Sequence, residues 1–332
     1  MNDNEQQDAA IPAERLEQGV EIVRRIAAEI GRAVIGQRDV IEHLLACALA
    51  GGHLLVEGVP GLGKTLLVRA FAKTFAGDFS RIQFTPDLMP ADVTGHAVFD
   101  IKQQSFSVRK GPVFAHLLLA DEINRAPAKT QSALLEAMQE RQVTIEGEAH
   151  RLGPPFMVLA TQNPLEQEGT YPLPEAQLDR FLIKLRIGYP SESEEQAMLR
   201  AVTANRIGDS LDVDQVATLV KPETILALQQ LVARIRVDDA VAAYALRLVR
   251  ATRDWPGIAI GAGPRGGIAL LRMARAMALL AGRDYVTPDD IKNAVLPVLR
   301  HRIALSPESE LDGLSSDDLL TGLASRVAAP RA

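Results

Sequence analysis

Cysteine is almost absent from this chain. A single residue, Cys47, stands among 332, which excludes an intrachain disulfide and a cysteine-built zinc site. Set among Leu44, Leu45, Ala48 and Leu49, it reads as core filling and not as chemistry. Long apolar runs are missing too: no stretch approaches the roughly 18 residues that span a bilayer. The opening, Met1-Asn2-Asp3-Asn4-Glu5, is acidic and polar, unlike a signal peptide. The expectation is a cytoplasmic protein with no direct membrane insertion. Positive charge is not in excess either. Against 42 Asp and Glu stand 36 Lys and Arg, a net −6, which gives no electrostatic case for general nucleic-acid binding. Internal repeats are also lacking. What is present, 47% apolar and 23% charged residues, can bury a sizeable core, and the length points to two domains.

The densest signal lies at residues 54–65, Leu-Leu-Val-Glu-Gly-Val-Pro-Gly-Leu-Gly-Lys-Thr. An apolar run fit for a buried strand leads into Gly58-x-x-x-x-Gly63-Lys64-Thr65, and an amphipathic run from Leu66 to Phe75 follows as a helix. Strand, glycine-rich loop and helix in this order form a phosphate-binding loop. Gly58, Gly61 and Gly63 let the backbone curl so that successive N–H groups face a phosphate, and the helix N-terminus adds partial positive charge. Lys64 is placed to reach the β and γ phosphates and the Thr65 hydroxyl to ligate Mg²⁺. Pro60, Leu62 and Leu66 are expected to complete the nucleotide contacts.

Around this loop the runs alternate between strand and helix. Pro12 opens an amphipathic helix; Val34-Ile35-Gly36-Gln37 breaks the pattern before a second helix that ends at Gly51-Gly52. Further strands are expected at Arg81–Thr85, His116–Glu122, Phe156–Thr161 and Leu182–Ile187, helices at 129–140 and 174–181, and hairpins within 97–108 and 143–148. Strand and helix in alternation imply a parallel sheet covered on both faces. Ligands of such sheets sit at the carboxyl ends of the strands. Asp121 then falls beside the Mg²⁺, Glu122 can polarise an attacking water, and the Asn163 amide lies near that water. Each also has a plainer reading: carboxylates that meet solvent, and an asparagine that forms a turn. Tyr189-Pro190-Ser191 marks a boundary. Beyond it the pattern is helical at 192–204, 222–235, 238–253, 265–281 and 288–300, the last capped by Thr287 with Pro288 at its first position. Residues 1–11 are expected to be disordered, 12–190 to form the α/β core and 191–332 a small helical domain whose tail, Ala328-Ala329-Pro330, frays.

With Ala120-Asp-Glu-Ile-Asn-Arg-Ala-Pro127, Ala160-Thr-Gln-Asn-Pro164 and Leu178-Asp-Arg-Phe181 following the phosphate loop in this order, residues 12–302 resemble AAA+ ATPases and, more closely, the MoxR family. The resemblance implies an αβα sandwich with a parallel sheet followed by an all-α lid, with ATP and Mg²⁺ as cofactors. It implies Walker A at Lys64 and Thr65, Walker B at Asp121 and Glu122, sensor 1 at Asn163, an arginine finger at Arg180 and sensor 2 at Arg265. Ile35, Gly36 and Gln37 match the segment that lies against the adenine, and the two hairpins match the helix-2 insert and the pre-sensor-1 hairpin. Arg180 would act on the γ-phosphate of a neighbouring subunit, though the end of a short helix also suits a surface charge or an internal ion pair. Arg265 would draw the lid toward the γ-phosphate while ATP is intact, against its plainer reading as a solvated charge. Arg125 either faces the neighbour or is an ordinary surface residue. The family further implies a homo-oligomer, as a hexameric ring, and chaperone-like remodelling or maturation of client proteins with a von Willebrand A-domain partner. Two alternatives are the ATPase subunit of a metal chelatase and a nucleic-acid motor of helicase type. The motor would want a basic insert, where the first hairpin offers only Lys102, Arg109 and Lys110.

Overall fold

Two helices lead into the sheet. α1 (Ala13–Ala33) buries Val23, Ile26, Ile30 and Ala33 along one stripe, and α2 (Arg38–Leu49) buries Ile41, Leu44, Leu45 and Cys47. Desolvation pushes the Cys47 thiol up to about 12, the inert state its neighbours suggest. The chain is known here from a computed structural model that describes residues 11–59, 61–102, 104–163, 170–203 and 213–330. Pro60 and residues 1–10 of the stretch 1–11 expected to be disordered therefore lie outside the described residues, while Ile11 is buried in the core.

The α/β core follows as β1 (Leu54–Glu57), α3 (Lys64–Thr74), β2 (Phe79–Gln83), α4 (Pro90–Thr94), β3 (Gly95–Asp100), β4 (Ser105–Lys110), β5 (Leu117–Asp121), α5 (Ala128–Glu140), β6 (Gln142–Ile145), β7 (Glu148–Arg151), β8 (Met157–Gln162), α6 (Glu175–Leu178) and β9 (Ile183–Arg186). Five of these strands make one parallel sheet in the order β2-β5-β8-β1-β9. All five residues of β5 and five of the six in β8 are buried, as apolar strands covered on both faces must be. β2 is an edge and shows it, with Phe79, Arg81 and Gln83 exposed and Ile82 buried. The register pairs Gln83 with Asp121, Ala120 with Ala160 and Glu57 with Gln162, so the carboxyl ends of four strands finish level. β3–β4 and β6–β7 are separate antiparallel hairpins.

The remaining elements are α7 (Glu192–Thr203), α8 (Pro222–Ala233), α9 (Asp239–Ala251), β10 (Ile258–Ile260), α10 (Pro264–Leu280), α11 (Pro288–Leu299), β11 (Ala304–Leu305), α12 (Pro307–Leu311) and α13 (Ser316–Arg326). α11 starts on the expected Thr287, which forms a capping box with Asp290. The domain is not purely helical, because β10 and β11 pair antiparallel. Nor does the tail simply fray: α13 closes the chain, and the carbonyl of Ala328 accepts from Arg247 at 3.2 Å. No gap in packing falls at residue 190. α1 and α2 share one apolar cluster with α8 to α11 and α13, and at Gly19 an added Cβ would come within 2.7 Å of Leu231. Among the described residues no helix is long and apolar enough to cross a membrane.

Candidate active site

The loop between β1 and α3 has the shape the glycines promise. Gly61 (φ 87°) and Gly63 (φ 76°) take left-handed conformations, and a Cβ at either would meet nothing within 4 Å. The space beside both glycines, ahead of the N-terminus of α3, is therefore open. Lys64 Nζ donates to the carbonyl of Gly58 at 2.5 Å and of Gln162 at 3.4 Å, which holds it between the ends of β1 and β8. Leu66 is half-buried against the main core. Leu62 is buried, and its carbonyl accepts from Gln37 Nε2 at 3.3 Å. That bond brings Ile35, Gly36 and Gln37 to the loop. Glu194, at the start of α7, closes the same corner by accepting the Gln37 N–H at 3.3 Å. Its carboxyl lies below the ordinary range because it accepts the Ser191 backbone N–H and hydroxyl as well.

Asp121 ends β5 with a buried carboxylate. Its Oδ1 accepts from the Thr161 hydroxyl at 2.6 Å, and its Oδ2 accepts from Thr65 Oγ1 at 3.3 Å and from Arg81 at 2.7 and 3.3 Å. Glu122 is not part of the strand. It sits in the left-handed region (φ 56°) with its N–H donated to Thr161 Oγ1 at 2.8 Å, a conformation that side chains adopt at some cost. Its Oε2 accepts from Gln83 Nε2 at 2.7 Å and Arg125 at 3.0 Å. Arg125 thus has a partner inside its own chain. Asn163 is buried beside them, its carbonyl accepting from Asn124 Nδ2 at 3.4 Å. The 3.3 Å between Thr65 Oγ1 and Asp121 Oδ2 is close to the roughly 2.9 Å between adjacent vertices of an oxygen octahedron around Mg²⁺, so this hard donor pair fits that ion. Among the described residues no three His, Cys, Asp or Glu side chains gather as a metal cage. A Mg²⁺ here would take its other ligands from phosphate and water, as it commonly does.

The two arginines are elsewhere. Arg180 follows α6, just before β9, and lines a cleft of about 330 Å³ with Gly51, His53, Arg141, Arg265 and Arg272. Gly51 and His53 precede β1, so this cleft opens at the amino end of the sheet, a strand's length from the phosphate loop. Arg265, at the start of α10, pairs there with Asp179 at 3.5 Å. The expectation that Arg265 draws the lid onto its own chain's γ-phosphate is therefore corrected. α10 packs along α1 and α2, and this directs its first turn to the opposite end of β1. Sequence reasoning also passed over Arg81, Gln83, Thr161 and Glu194. Arg81 and Gln83 carried one usable signal, the period of two that puts both on the same face of an edge strand.

The comparisons agree with this architecture. A model of the "ATPase family associated with various cellular activities (AAA)" matches residues 53–183, and one of the "AAA lid domain" matches residues 250–323. Chaperone MoxR1 of Mycobacterium tuberculosis is 43% identical across 96% of this chain and 85% of its own. The chain belongs to the MoxR family of AAA+ ATPases. Within it, the uncharacterized protein YeaC of Bacillus subtilis is 47% identical over 91% of this chain and 92% of its own length. A crystal structure of a candidate ATPase from Cytophaga hutchinsonii superposes with a TM-score of 0.86 at 42% identity, covering 96% of this MoxR-family chain and 98% of its own. Likeness to a magnesium-chelatase subunit of Arabidopsis thaliana is more distant, 28% identity over 59% of this chain and 45% of that one.

Proposed function

We propose that this MoxR-family chain hydrolyses ATP with Mg²⁺, at a site completed by a second copy, and that the resulting motion remodels or matures other proteins. The observation that supports it is the convergence of Lys64, Thr65, Asp121, Glu122 and Asn163 at the carboxyl ends of the adjacent strands β5, β8 and β1. Lys64 and the amides of the glycine loop bind the β and γ phosphates. Thr65 and Asp121 would hold a Mg²⁺, which would supply positive charge to the phosphates. Glu122 orients the attacking water, with the Asn163 amide near that water; Glu122 must first leave Gln83 and Arg125 to do so. Arg180 and Arg265, offered at the far end, supply positive charge to the site of the adjoining copy, where the transition state needs it more than the ground state does. Assembly as a hexameric ring, a client protein and a von Willebrand A-domain partner follow from the family resemblance and from the chaperone name of the Mycobacterium tuberculosis relative. Glu122→Gln tests the core of this reading. It should bind ATP about as well as the parent and hydrolyse it at least ~100-fold more slowly; retained turnover would remove Glu122 from the mechanism.

A further inference from the structure

Arg81 stands on the metal side of the site. Its Nη2 and Nε lie 2.7 and 3.3 Å from one oxygen of Asp121, the Oδ2 that also meets Thr65, while Oδ1 faces Thr161. A guanidinium therefore sits on the same carboxylate oxygen that Thr65 meets, the oxygen that a divalent cation held by both would have to reach. The two cations cannot share it, since like charges about 3 Å apart repel strongly in a half-buried site. The side chains differ in exposure: Arg81 is 49% exposed and Asp121 10%. Arg81 thus reaches in from an edge strand and can retreat to solvent without any backbone rearrangement, whereas the carboxylate cannot. A buried carboxylate left without counter-charge is costly, and Arg81 forms an ion pair with it at 2.7 Å. The same guanidinium donates to Gln83 Oε1 at 3.3 Å, and Gln83 in turn holds Glu122.

We propose that Arg81 is a built-in counter-cation of Asp121 that Mg²⁺ must displace, so that this side chain sets how much metal is needed to load the site; the inference rests on Asp121 being a metal ligand. Its departure also removes one of the bonds that orient Gln83, which ties metal arrival to the freeing of Glu122. Arg81 is a positioning residue in this account, with no contact to the reacting atoms. A simple brace between β2 and β5 would have the same hydrogen bonds but no opposition to metal.

The test uses the full chain with a non-hydrolysable ATP analogue and Mn²⁺ as the spectroscopic probe, titrated by electron paramagnetic resonance. Arg81→Gln should lower the half-saturating Mn²⁺ concentration about three- to fivefold, the scale of a partly exposed ion pair. It should also lower the melting temperature without metal and recover most of that loss when Mn²⁺ is added. Arg81→Lys, which keeps the charge, should stay near the parent in both measurements and guards against a variant that merely misfolds. Unchanged or weaker Mn²⁺ binding in a folded Arg81→Gln protein overturns the inference. Asp121→Asn separates that failure from a deeper one. If Mn²⁺ binding survives this change, Asp121 is not a metal ligand, and both the site assignment and the role of Arg81 fall together.

Discussion

His53, just before β1, and His301, just after α11, brace the amino end of the sheet. His53 accepts the Val158 N–H at Nδ1 and meets the Met138 carbonyl through Nε2, and His301 meets the Phe181 carbonyl. Burial holds His53 down to about 4 and His301 well below the ordinary value. In the folded chain both stay neutral where the unfolded chain takes up protons. Their contribution is complete above about pH 6.5, the ordinary histidine value, and is lost as the pH falls below it, for His53 down to about 4. For His53 the difference of two to three units corresponds to about 3 kcal/mol. Urea midpoints measured from pH 7 to 4.5 should fall steadily, and His53→Asn should start lower at pH 7 but decline less steeply. The candidate site residues differ in how readily the sequence reveals them. Lys64 and Thr65 belong to a local motif, and Asp121 and Asn163 end apolar strands, so spacing alone exposes them. The pairing of Arg81 with Asp121 spans forty residues and depends on strand register, which no short pattern in either segment encodes.

At the scale of elements, Arg302 ties the helical lid to the turn before β9. Its side chain is only 4% exposed, and it donates to Asp179 Oδ1 at 2.8 Å, to the Phe181 carbonyl at 2.6 Å and to the Leu182 carbonyl at 3.1 Å. Asp179 holds Arg265 as well. Breaking a buried pair by removing one partner typically costs 3–5 kcal/mol. Arg302→Met should therefore lower the unfolding free energy by about 3 kcal/mol in urea titrations, and Arg302→Lys should not restore it, because an ammonium cannot serve three acceptors on one plane. The strands of the sheet and the long helices were legible because their apolar periodicity is strong. β10 and β11 were not, being three and two residues long and paired across 44 positions. α13 could have been found: Ser315 and Asp318 form a capping box, and the polar run around them hid the apolar stripe of Leu320, Leu323 and Ala324. The proposed boundary at residue 190 follows the change from mixed to helical pattern, yet α1 and α2 come from the first part of the chain and pack both with that part, α1 against α3, and with helices of the second. Periodicity shows that a helix has an apolar face but not which partner covers it.

For the whole molecule, the phosphate loop and the cleft of arginines lie at opposite ends of one sheet, so Arg180 is proposed to serve another copy. Arg180→Ala should keep nucleotide affinity within a few-fold and lose on the order of 10³ in rate. Lys64→Ala keeps Arg180 but cannot position its own ATP. Mixing the two nearly inactive proteins should return part of the ATPase activity, rising with total concentration as mixed assemblies form. A mixture that stays inactive while native mass spectrometry finds mixed oligomers would refute the exchange of Arg180 between copies. If Arg180 serves another copy, the contact also has a direction, since a head meets a tail and no two-fold axis relates the partners. Every copy then holds a share in two reaction centres and completes neither alone. One Lys64→Ala copy in a closed assembly disables a single centre, as does one Arg180→Ala copy, but a copy with both changes silences the centre it houses and the one it assists, so trace amounts of the double variant should inhibit twice as many sites per copy as either parent.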